Sequence, residues 1–304
     1  MRAAILVGVV ALIGCSEPRP SPRMARTPEV AAEPVAASLA HRAFVVGGFQ
    51  RPESVLYDEF RDRYLVSNIN GALPGFISVV APDGHVVTPR AIEGDRGGVT
   101  LRDPHGMGIL DGTLYVADVA TVRTFYLADG ASAGDIEIQS ATMLNDIAVD
   151  RVTGRVFVSD TAMLPAADGS YRPQGGGAVY VIEKRQLRVL AEGPELHNPN
   201  GLAADGAGGV WVVDGQGRVY RLDASGAMHD VARGPGLSLD GIALLGERMF
   251  VSDWDSGTVW ERVDAGWRAV IRGVVTPADI GLDNKRHRIL VPSIRAGALE
   301  AWDL

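Results

Sequence analysis

Five polar side chains, Glu53, His105, Asn145, Asn200 and Asp240, stand at one register just ahead of an apolar run. Ala278 fills the sixth such place, and Asp146 and Asp279 follow one residue later in their segments. Four of the five are oxygen donors. Two carboxylates and two amide carbonyls gathered out of water are costly unless a cation compensates them. An oxygen-only set suits Ca²⁺ first and Mg²⁺ or Mn²⁺ next. Zinc is disfavoured, because the register holds no thiol and one imidazole. The competing explanation is turn chemistry, since Asn, Asp and Gly also shape turns that lead into strands; turns alone, however, need not place an oxygen donor at one register four times. His105 is open to two roles, a general base that takes a proton from water or a wall of the pocket. Asp240 and Asp146 are the alternative proton acceptors, and His197 is placed on the rim.

These residues need a scaffold that brings distant segments to one point, and the chain repeats itself in a way that supplies it. Six times a polar start leads into an apolar strand, a turn and a second strand with a small polar end. Examples are Pro52-Glu53-Ser54-Val55 to Val66-Ser67-Asn68 and Leu239-Asp240-Gly241-Ile242 to Val251-Ser252-Asp253. The starts lie 52, 40, 55, 40 and 38 residues apart. A third alternating strand follows, as in Arg218–Leu222, and usually a fourth, as in Leu187–Leu190. Residues 43–304 divided among six units give roughly 44 residues each, the size of one four-stranded propeller blade. Period-two alternation of Val, Tyr, Trp and Phe excludes a helical solenoid. The expectation is an all-β, six-bladed β-propeller in which the first strand of every blade lines the axis. The last unit stops after its third strand, whereas Ala43–Phe49 is a strand without a unit, so the N-terminal segment is expected to close the ring as the outer strand of the last blade. Asp118, Asp160, Asp214 and Asp253, at the ends of second strands, are expected to cap loops by accepting backbone amides. The irregular stretches Gly94–Gly98 and Pro165–Gly177 are candidates for a lid, and Trp254 either lines the pocket or is an exposed loop aromatic.

Composition agrees with a folded body. Hydrophobic residues make up 46% and charged residues 22%, which excludes disorder, and 37 Gly with 17 Pro suit many tight turns. A net charge of -8 offers no basic excess for nucleic acid. At the N-terminus Arg2 precedes the apolar run Ala3–Ile13, which is too short to span a bilayer and ends at Cys15, the only cysteine. Residues 1–14 resemble a bacterial lipoprotein signal. That resemblance implies lipidation of Cys15, a tether over residues 15–42 rich in proline, and a body held at the bacterial cell envelope in contact with a membrane through its anchor.

Over residues 43–304 the motifs resemble the six-bladed calcium-dependent hydrolase superfamily that includes gluconolactonase and regucalcin, the paraoxonases and, more distantly, strictosidine-synthase-like proteins. Pro52-Glu53 resembles the first-blade metal glutamate, Leu144-Asn145-Asp146-Ile147 the paraoxonase asparagine–aspartate pair, Pro199-Asn200-Gly201-Leu202 the asparagine–glycine motif of the lactonases, and Leu239-Asp240-Gly241-Ile242 the metal aspartate. Pro104-His105-Gly106 is similar to the segment of the paraoxonase catalytic histidine. Gly241 replaces an asparagine there, no second histidine pairs with His105, and the sixth place is Ala278. The resemblance implies calcium held by Glu53, Asn145, Asn200 and Asp240 and hydrolysis of a small lactone or related ester. The Asn200–Gly226 stretch also resembles an NHL-type repeat, which implies the alternative of a lipid-anchored, non-catalytic binding or scaffold propeller with at most a structural ion.

Overall fold

A computed structural model of the chain describes residues 39–165, 171–264 and 266–304. The expected signal, Cys15 and residues 15–38 of the tether lie outside the described residues. Six four-stranded antiparallel sheets follow one another; in five the strands run from inner to outer in sequence order, and in the sixth the outer strand comes from the N-terminal end. The inner strands are Pro52–Asp58, Pro104–Leu110, Leu144–Asp150, Pro199–Ala204, Leu239–Leu245 and the short Gly281–Asp283. This is the expected six-bladed propeller.

Alternation within strands explains why the blades must stack. In the second strand of blade 1, Tyr64 and Val66 pack toward blade 6 beside Leu290 and Leu299, while Leu65 packs toward blade 2 beside Leu114 and Val116. Blade 2 repeats the pattern, with Tyr115 and Ala117 facing Val156 and Val158 of blade 3. Each sheet is apolar on both faces and is stable only between neighbours.

Closure follows the expected route. The strand His41–Gly47 pairs with Ala298–Asp303, from His41 opposite Asp303 to Gly47 opposite Ala298, and completes blade 6. It begins at His41 and not at Ala43, and the amides of Leu39 and Ala40 already donate to the Val270 carbonyl. The residues 39–42 assigned to the tether therefore belong to the propeller. A polar clasp reinforces the same seam: Arg286 spans Asp62 and Asp283, Tyr64 Oη donates to Asp283 at 2.6 Å, and Tyr57 Oη donates to Asp62 at 2.9 Å.

Candidate metal centre

A β-bulge sets the site. In blades 1 to 5 the pairing of the first and second strands breaks between the residue before the ring position and the second residue after it, as between Pro52 and Val55 or Pro199 and Leu202. Two residues per blade thus escape the ladder at the same place. Blade 6 differs: Asp279 makes an isolated bridge to Ser54 of blade 1, and its amide donates to the Glu53 carbonyl at 3.0 Å.

Serines hold the bulges. Ser159 Oγ accepts from the Asp146 amide at 2.9 Å and donates to the Asn200 carbonyl at 2.7 Å; Ser252 Oγ accepts from Gly241 and donates to the Ala278 carbonyl, both at 2.8 Å. Ser67 accepts from the Ser54 amide in blade 1. These residues were not singled out in the sequence, although Val-Ser-Asn/Asp recurs at the end of three second strands. The glycines after the ring residues have a separate cause. A Cβ at Gly106 would overlap Asp146, and one at Gly201 would overlap the backbone of Asp240 and Gly241. Here glycine serves close approach of neighbouring inner strands, at negative φ.

The four predicted ligands share one property. Glu53 Oε2, Asn145 Oδ1, Asn200 Oδ1 and Asp240 Oδ1 are each buried without a hydrogen-bond partner. Such orphaned acceptors are rare and costly in a native protein. The carboxylates also sense each other. Burial pushes Glu53 well up, and the charges of Asp240, Asp279 and Asp146 push it further; Asp240 is pushed up to about 7, by burial and then by Asp146. Asp279 is raised by burial and by Asp146, even though Ser54 Oγ donates to it at 2.5 Å. Among the described residues no three His, Cys, Asp or Glu side chains could hold an ion by themselves. The set is of another kind, two carboxylates completed by two amides, and its donors fit a hard dication.

Asp146 joins the cluster but not as a free oxygen. Its Oδ1 accepts from the Ile147 amide and its Oδ2 from the Leu202 amide, both at 2.6 Å. Burial raises it to about 6, against the pull of those amides. His105 is buried in blade 2, and its Nδ1 lies 2.8 Å from the Asp103 carbonyl. A carbonyl only accepts, so Nδ1 carries a proton and Nε2 is the ring atom left to exchange one. Asp103 went unremarked in the sequence, where nothing but its place before Pro104 marks it.

Other expectations fall around this centre. Asp118, Asp160 and Asp214 each accept backbone amides of the neighbouring loops, as capping requires, whereas Asp253 Oδ1 has no partner. His197 is half-buried in a left-handed turn after a short 3₁₀ segment, and Trp254 is half-buried beneath Arg295. At the Pro165–Gly177 stretch, Met163–Pro165 pairs antiparallel with Tyr171–Pro173, and Tyr171 Oη donates to Asp103 at 3.5 Å. The inter-blade clefts, such as one of about 170 Å³ lined by Leu65, Ile92 and Leu127, lie away from the ring.

No protein-family model matches the chain, and no curated protein matches it. Solved structures do. A gluconolactonase from Xanthomonas campestris aligns at 18% identity with a TM-score of 0.65, covering 88% of this chain and 91% of that one. A luciferin-regenerating enzyme aligns at 12% identity and a TM-score of 0.63, covering 86% and 95%. A chain of a nidogen/laminin complex aligns at 18% identity and a TM-score of 0.55, covering 70% and 76%. In fold, then, this chain is a six-bladed propeller like those of gluconolactonase-type proteins, the architecture its repeats and motifs imply.

Proposed function

We propose that the protein is a metal-dependent hydrolase of a lactone or related ester, with Ca²⁺ held by Glu53, Asn145, Asn200 and Asp240. The observation that carries this reading is the four buried, unpartnered oxygens, one from each of four blades, at the register chosen from the sequence. Gluconolactonase-type neighbours in fold support the lactonase class in general. When bound, the dication supplies the positive field that polarises a carbonyl and stabilises the oxyanion that develops on it.

The chain's own groups supply the rest. His105, with Nδ1–H fixed on the Asp103 carbonyl, presents Nε2 to take the proton of an attacking water. Asp240 is the second acceptor in line, since burial raises its proton affinity. Asp146 has both oxygens on amides of its own and the next blade, so its part is to fix the bulges that aim Asn145 and Asn200. Ring opening leaves a hydroxy acid. The test is turnover of a panel of lactones and aryl esters, with and without EDTA, in the native protein and in Glu53→Gln and Asn200→Ala; rates indifferent to all three changes would remove the mechanism.

A second reading, a lipid-anchored binding propeller whose ion is structural, is favoured by the nidogen/laminin neighbour and by the lack of a second histidine beside His105. A bound ion with no hydrolysis across the panel would select it.

A further inference from the structure

Blades 1, 3, 4, 5 and 6 share a backbone bridge that blade 2 lacks. In each of them the residue that follows the second strand donates its amide to the carbonyl two places before the ring position, as Thr161 does to Met143 at 3.0 Å, Trp254 to Ser238 at 2.9 Å and Ile294 to Thr276 at 3.3 Å. The bridge ties the end of the second strand to the turn that aims the ring side chain. In blade 2 the matching pair is Val119 and Asp103. Here the Val119 amide donates to no carbonyl among the described residues, and the oxygen that it would meet is the one 2.8 Å from His105 Nδ1. An imidazole nitrogen stands where the other blades place an amide.

The turn at Val119 is the cause. Between the second and third strands of blade 2 stand Val119 and Ala120 alone, the shortest such connection of the six, so that Asp118 pairs directly with Thr121 across it. The favoured two-residue hairpin turns need a positive φ at their first place, which glycine, asparagine or aspartate usually supplies. Val119 supplies it at φ 60, a strained conformation for a β-branched residue, and none of the equivalent residues in the other blades has a positive φ. The turn withdraws the Val119 amide from Asp103 and presents the Val119 carbonyl to blade 3, where it accepts the Leu144 amide at 2.7 Å. In four blades the place of Leu144 is taken by Pro52, Pro104, Pro199 or Pro277, which have no amide to satisfy.

We infer that Val119 is a positioning residue for His105: its left-handed turn withholds the amide that would bridge to Asp103 and leaves that carbonyl to the imidazole alone. The backbone conformation at this place is what matters, since the valine side chain is 44% exposed. A strained valine persists only where its surroundings over-determine it, and here the two-residue turn and the Leu144 amide do so together. The ring is thereby fixed with Nδ1 as a donor, by an exchange of partners confined to one blade. The catalytic consequence rests on the proposed role of His105 as proton acceptor; the exchange of hydrogen-bond partners does not.

The test reads the imidazole itself, by NMR of its two nitrogens at alkaline pH, with the His105 signals assigned by their loss in His105→Gln. The native ring is expected to carry its proton on Nδ1, and the Val119 amide to exchange with solvent at least about 10-fold faster than the amides of Thr161 and Trp254. Replacing Val119–Ala120 by Gly-Gln-Gly, the turn Gly215–Gly217 of blade 4, supplies a turn whose first amide does reach the carbonyl two places before the ring residue. In that variant the ring is expected to pass mainly to the form protonated on Nε2. For any lactone that the native protein hydrolyses, kcat is expected to fall about 10- to 100-fold with KM little changed. Val119→Gly, which takes the left-handed conformation without strain, is expected to keep the proton on Nδ1. A native ring protonated on Nε2, a Val119 amide as protected as its counterparts, or an unaltered His105 in the turn replacement overturns the inference. An altered ring with an unaltered rate upholds it and removes His105 as the proton acceptor. Melting curves check that each variant is folded; should the turn replacement not fold, the two measurements on the native protein decide.

Discussion

His105 Nδ1 lies 2.8 Å from the backbone carbonyl of Asp103, two residues away and on the far side of Pro104. Asp103 is itself pinned, since its amide donates to Asp118 Oδ1 at 2.6 Å, and Asp118 is buried and paired with Arg123. Among the described residues the orientation of the imidazole is thus set by backbone, with no partner side chain.

If His105 is the proton acceptor, His105→Gln, which keeps a polar group in that space, lowers kcat by about 10²–10⁴-fold. Stabilisation by calcium should be unchanged, since His105 is not among the four oxygen donors. A loss of both together would make His105 a structural residue. Steady-state rates and melting curves with and without calcium separate these outcomes.

The four orphaned oxygens predict a ligand-dependent stability. Calcium at about a hundred times its dissociation constant should add about 3 kcal/mol, read as a rise of roughly 5 °C or more in the melting temperature. Glu53→Gln and Asn200→Ala should each cut that rise by more than half. Zinc should not reproduce it, because the set has neither thiolate nor imidazole to offer.

Metal-free protein should lose stability as pH rises. Burial holds Asp146 up to about 6 and, with the charge of Asp146, holds Asp240 up to about 7. In the unfolded chain an aspartate releases its proton near its ordinary value of 3.8. Between those limits the folded protein keeps protons that the unfolded chain has given up, and Glu53 and Asp279 are raised in the same direction, so unfolding becomes easier as pH rises from about 4 through about 7. Denaturant titrations in EDTA at pH 5 and pH 8 should give the larger midpoint at pH 5. Saturating calcium should narrow or reverse the difference, as it favours the ionised carboxylates.

Gly201→Ala tests whether the asparagine–glycine motif is there for packing. A methyl group at this position would overlap the Asp240 carbonyl and the Gly241 backbone, neither of which can give way without shifting the neighbouring inner strand. The expected cost is about 1–3 kcal/mol, together with weaker calcium binding, because the same shift displaces Asp240. An alanine at Gly71, which stands in open space at positive φ, should leave calcium binding intact.

The seam between blades 6 and 1 should be the most sensitive to loss of a single carboxylate. Asp283→Ala removes a fully buried acceptor from Tyr64 and Arg286, at an expected cost of about 3–5 kcal/mol. Chemical denaturation of this variant beside Asp223→Ala, an exposed turn residue, checks the contrast.

Much of this molecule was determined by local sequence. Alternation at period two, six recurrences of one pattern and an orphan first strand after residue 42 point to a closed ring, because a sheet apolar on both faces must bury both against neighbours. The register of Glu53, Asn145, Asn200 and Asp240 was legible for the same reason: a repeat that superposes the strands superposes whatever precedes them. Tertiary structure alone decided what those positions meet. That Asp146 spends both oxygens on amides from two blades, that Ser159 and Ser252 bridge bulges across seams, and that Asp103 holds His105 are facts of packing between segments tens of residues apart. A one-dimensional pattern says which residues share a register; only the angle and distance between neighbouring blades say which lone pairs are already taken and which are left without a partner.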